Sequence, residues 1–154
     1  MIKPNVLEKE TLKINRLSEE DKEFVVNVFR KKGSFSYRFT GRDNICTPFI
    51  MLQMSDKEYK MEIMNKLCDL MGVRLTMVQL FKSQANKLRS RKIFFTGRKA
   101  YAWMRFIMNS LSNVGDDYER KVEIARVLRI VKNFDEEQMR FMFREREMVE
   151  DLPT

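Results

Sequence analysis

At 154 residues with 44% hydrophobic side chains, the chain matches one globular domain, large enough to bury a core without disulfide or metal staples. Its 30 Lys and Arg outnumber 22 Asp and Glu, and the net charge of +8 favours polyanionic partners in general without choosing among DNA, RNA and acidic proteins. The absence of histidine excludes His-based nucleases, Ser-His-Asp hydrolysis and His metal ligands together, because imidazole supplies the base or the ligand in each.

The first residues, MIKPNVLEKETLKINRL, lack the apolar core of a signal peptide, and no stretch reaches the ~18 apolar residues that cross a bilayer. A soluble intracellular protein is expected, its compartment open. Residues 1–17 read as a polar N-terminal arm. Ser18 followed by Glu19, Glu20 and Asp21 marks a helix start, with Phe24, Val25, Val28 and Phe29 as its apolar face and Gly33 as its stop. Residues 34–40 then alternate Ser34, Ser36, Arg38 and Thr40 with Phe35, Tyr37 and Phe39, the pattern of a half-buried strand whose polar face is wet. The loop TGRDNIC, with Arg42 at its tip, leads to a second strand-like run, TPFIMLQM at 47–54, so the two segments read as a hairpin.

Ser55-x-x-Glu58 has the form of a capping box and announces a helix that closes at Gly72, with Met61, Met64, Leu67, Cys68 and Met71 at helical spacing. These methionines read as core packing, since Met fills irregular gaps. VRLTMVQLFK at 73–82 and RKIFFT at 91–96 form a second hairpin around a turn rich in Lys, Arg, Ser and Asn. A helix from 99 places Ala100, Met104, Ile107, Met108 and Leu111 on one face, while Tyr101, Trp103 and Phe106 read as packing residues. Two helical segments follow, at about 116–132 and 135–149, the latter with an apolar stripe of Met139, Met142 and Phe143. Cys46 and Cys68 lack the paired spacing of a zinc site and read as reduced packing thiols.

The order is α-β-β-α-β-β-α with a C-terminal helical extension, an α+β domain whose four-stranded antiparallel sheet is covered by helices on one face. The domain is expected to run over 18–133, with 134–154 as its extension. This order, together with VVNVFRKKGSF, TPFIMLQMSDKEYKMEIMNKLCDLMGV and IFFTGRKAYAWMRFIMNSL, resembles the LAGLIDADG homing-endonuclease family in a single-motif form. The resemblance implies a sheet lying in a DNA major groove and a basic residue near the backbone at Lys99. It also implies where the motif is degenerate. Counting back from Gly33, the family's catalytic acid falls on Lys32 and its other acid on Arg30, so divalent ions lose their ligand. Val26 and Asn27 stand where the family packs small residues between paired helices.

No catalytic residue, metal ligand or cofactor is therefore assigned. The remaining acids, Asp43, Asp116, Asp117 and Glu19 to Asp21, read as loop and helix-capping residues. The candidate nucleic-acid contacts are Arg30, Lys31 and Lys32 at the first helix end, Ser34, Ser36, Arg38 and Thr40 on the strand, and Arg42 with Asn44 at the hairpin tip. Lys82, Lys87, Arg89, Arg91 and Lys92 from the second hairpin and Arg98 with Lys99 beyond it complete the set. The leading expectation is a catalytically inactive binder of double-stranded DNA. The alternative is an RNA-binding structural or adaptor component of a ribonucleoprotein such as an organellar ribosome, and the third reading is a nuclease with a relocated metal-binding acid. A homodimer or a protein partner is open on either of the first two.

Overall fold

The structure, a computed structural model, describes residues 6–55, 57–79 and 89–137. It is a mixed α+β domain of α1 (Val6–Asn15), α2 (Glu19–Lys32), β1 (Ser34–Thr40), β2 (Ile45–Ser55), α3 (Glu58–Met71), β3 (Leu75–Gln79), β4 (Arg89–Thr96), α4 (Gly97–Ser110) and α5 (Gly115–Glu137). The strands form one antiparallel sheet in the order β1-β2-β4-β3. Residues alternate between its faces. Ile50, Leu52 and Ile93 are buried against the helices, whereas Ser34, Arg38 and Gln53 on the other face are exposed.

The core gathers the described helices on one side of the sheet, with α1 packed on α4. Trp103, Tyr101, Met104 and Ile107 of α4 are fully buried, as are Met64, Leu67 and Met71 of α3 and Leu128 and Val131 of α5. Tyr101, Trp103 and Met64 thus pack as their spacing implies, while Phe106 is half-buried with its ring edge-on to Trp103. Burial pushes the thiols of Cys46 and Cys68 above the usual range, with Asp69 adding to the effect at Cys68. Both are free thiols. No helix of the described residues is long and apolar enough to cross a membrane.

Several expectations need correction. The segment expected as a polar arm contains α1, whose Leu7 and Ile14 are buried in the core. Thr11 on the same face accepts a 3.1 Å bond from the buried Arg105 of α4, so one amphipathic stripe with a polar centre docks the helix. The expected capping box at Ser55 does not form: Ser55 ends β2, and α3 starts after Lys57 without a side-chain cap. The helical segment expected to end near 132 continues unbroken to Glu137 as α5, carrying Phe134 and the buried Asp135. The expected helix at 135–149 beyond that point lies outside the described residues. On β1, only Phe35 of the three aromatics is buried. Tyr37 and Phe39 remain 36% and 48% exposed, since β1 is the outer strand among the described residues, although the Phe134 ring of α5 meets Phe39 edge-on.

Candidate nucleic-acid interface

Helix α2 is set at its start by Ser18, whose hydroxyl accepts the Asp21 amide at 3.1 Å, and at its end by Gly33. Gly33 has an ordinary φ of −70°, so its lack of a side chain is needed for space and not for backbone freedom. A Cβ there would stand 2.7 Å from Phe29 Cδ1 and 2.8 Å from the Phe29 carbonyl oxygen. The last turn therefore closes directly onto β1.

Arg120 of α5 reaches the same point. Its guanidinium donates to the carbonyls of Gly33, Phe29 and Arg30, pairs with Glu123 at 3.0 Å, and lies 5.2 Å from the Phe35 ring centroid. The final carbonyls of a helix carry negative partial charge, which explains why a cation settles there. Arg30 is held in turn by Asp117, at 2.8 Å, and by the Asn27 side chain at 2.7 Å. Arg30, Lys31 and Arg120 share an open cleft of about 600 Å³ with Asp116, Asp117, Glu119 and Glu123. The cleft mixes both signs of charge. Among the described residues no group of His, Cys, Asp and Glu side chains is arranged to hold a metal ion. Lys31 and Lys32 themselves are exposed.

The sheet's second face is arranged differently. Register places Ser34 beside Met51 and Phe94, Ser36 beside Phe49 and Thr96, and Gln53 beside Lys92. Phe49 and Phe94 meet with ring centroids 5.4 Å apart, and the Arg38 guanidinium extends from β1 across β2 to lie 4.9 Å from the Phe94 centroid. Lys92 approaches the same ring at 5.6 Å. This face has an apolar centre, two cations over it and a polar margin. Sequence alternation assigned the polar residues of β1 to this face but missed Phe49, Met51 and Phe94. Their signal was present: Phe49, Met51 and Gln53 occupy alternate positions of β2, yet the other positions are apolar too, so the run carries no visible alternation.

The remaining candidates separate clearly. Arg42 is exposed in the hairpin turn 41–44, where Gly41 and Asn44 take positive φ angles of 75° and 49°. Arg91 lies on the helix-covered side with Ile93, because neighbouring strand residues point oppositely; only Lys92 of that pair joins the open face. Arg89 opens β4, and Lys82 and Lys87 lie outside the described residues. Arg98 is half-buried in the first turn of α4. Lys99 follows it in the first turn of α4. Its ammonium donates to the Gly72 carbonyl at 3.0 Å and pairs with Glu10 at 3.6 Å, so it tethers the C-terminal end of α3 to α1.

No protein-family model and no curated protein matches the chain. Among solved structures it is similar to "Group I Intron-encoded Homing Endonuclease I-CeuI Complexed With DNA", with a TM-score of 0.49 and 14% identity over 80% of this chain. The match spans 60% of that structure's length.

Proposed function

We propose that the protein is a nucleic-acid-binding domain that contacts double-stranded DNA through the open face of its sheet and does not cut it. The observation that carries this reading is the combination on that face of Arg38 and Lys92 with Ser34, Ser36, Thr40 and Gln53, drawn from three adjacent strands. Cations neutralise phosphates, while hydroxyls and amides can reach base edges in a groove. Arg42 at the hairpin tip extends the basic margin. The sequence resemblance to LAGLIDADG proteins supports a degenerate, single-motif relationship, in which Lys32 and Arg30 stand at the acid positions and Arg120 fills the helix end. At that helix end Arg30 and Arg120 occupy carboxylate and carbonyl oxygens that a divalent ion would need as ligands.

The Phe49–Phe94 pair favours a second reading, because aromatic side chains on an open sheet can stack unpaired bases, as in recognition of single-stranded RNA. Fluorescence anisotropy with duplex DNA, single-stranded RNA and structured RNA, with Mg²⁺ present and product lengths checked, separates them. Tightest binding to intact duplex supports the leading reading. Preference for unpaired RNA, abolished by Phe94→Ala, supports the second; Mg²⁺-dependent shortening of the DNA overturns the non-cutting assignment.

A further inference from the structure

β1 pairs with β2 along its length from Ser34 to Thr40, and among the described residues no strand occupies its other side. The strand contains neither Pro nor Gly, and Ser34, Tyr37, Arg38 and Phe39 are exposed. Such an edge presents backbone donors and acceptors to another strand. We propose that it pairs antiparallel with β1 of a second copy of this chain, about a twofold axis through Tyr37.

The sequence SFSYRFT is self-complementary in that register. Phe39 meets Phe35 of the second copy, and Tyr37 meets its own counterpart on the helix-covered side. On the open side Ser34 meets Thr40, and Arg38 meets Ser36. No like charges fall opposite each other. A register centred on Arg38 would set the two guanidiniums face to face, and one centred between residues would join the open face of one copy to the helix-covered face of the other. The Tyr37 register alone keeps all seven residues of β1 paired and both open faces on one side. It also covers the exposed rings of Tyr37 and Phe39.

The resulting sheet would run β3-β4-β2-β1-β1-β2-β4-β3, with two copies of Arg38 and Lys92 related by an axis matching the twofold symmetry of a duplex. Because each chain carries +8, self-association should strengthen as salt screens the repulsion, the reverse of nucleic-acid binding.

Mild oxidation of Tyr37→Cys, without nucleic acid, should yield a disulfide-linked dimer on a non-reducing gel, whereas the wild type, with only Cys46 and Cys68, should not. Sedimentation equilibrium in high salt should show a wild-type dimer that Phe39→Lys converts to monomer, which keeps the test valid if the cysteine variant folds poorly. A wild-type monomer at every concentration, or cross-linking at Asn27→Cys on α2 instead of Tyr37→Cys, overturns the proposal. These measurements involve no nucleic acid, so failure of duplex binding and failure of pairing are separate results.

Discussion

The cations at the end of α2 and those on the open sheet face differ in what they touch. Arg120 and Arg30 meet carbonyls and carboxylates of the protein itself, and Lys99 does the same at the end of α3. Arg38 and Lys92 instead meet the ring of Phe94, an uncharged partner, and among the described residues neither forms an ion pair. A cation spent on a helix terminus contributes to stability; one resting on an aromatic ring keeps its charge available to a polyanion. A basic residue in the sequence therefore identifies neither role until its neighbours are known.

The strongest way to break this distinction is Arg120→Ala. Removing a guanidinium that satisfies several carbonyls should cost about 2–4 kcal/mol, read as a lower urea midpoint, and should leave duplex affinity of the folded protein unchanged. Gly33→Ala probes the same junction sterically. The added methyl collides with Phe29, and a loss of about 1–3 kcal/mol is expected in the same denaturation assay, although φ is ordinary. On the sheet the effects should exchange. Arg38→Ala should cost about 1–2 kcal/mol of duplex affinity, roughly five- to thirtyfold by anisotropy, while stability changes by less than ~0.5 kcal/mol. Lys99→Ala should be the mildest. It should lose about 0.5–1 kcal/mol of stability with no measurable change in binding, and a large binding defect there would return Lys99 to the interface.

These effects follow the boundary between what the chain revealed and what it concealed. Helix α2, β1 and the close of α3 at Gly72 were legible because Ser18, the alternation in β1 and a left-handed glycine each have a local cause. The docking of α1 was not, since the segment mixes charges with apolar residues of which Leu12 stays exposed, and the burial of Leu7 and Ile14 is explained by α4, distant in sequence. The same holds for the site. Alternation placed Ser36 and Arg38 on the polar face of β1, but which neighbour of the Arg91–Lys92 pair joins them depends on pairing with β2, and Phe94 gains meaning only when Arg38 crosses to it. Arg120 had no local signature at all. Its role arises where two helices far apart in the chain meet.

The most direct test of the sheet as a nucleic-acid surface is the salt dependence of duplex binding by the wild type and the Arg38→Ala/Lys92→Ala double variant, with Mg²⁺ present. Loss of both cations should flatten the slope of log affinity against log salt by about 2, one for each lost phosphate contact, while the DNA stays intact. Identical slopes for the two proteins would contradict the account and move the interface elsewhere on the molecule.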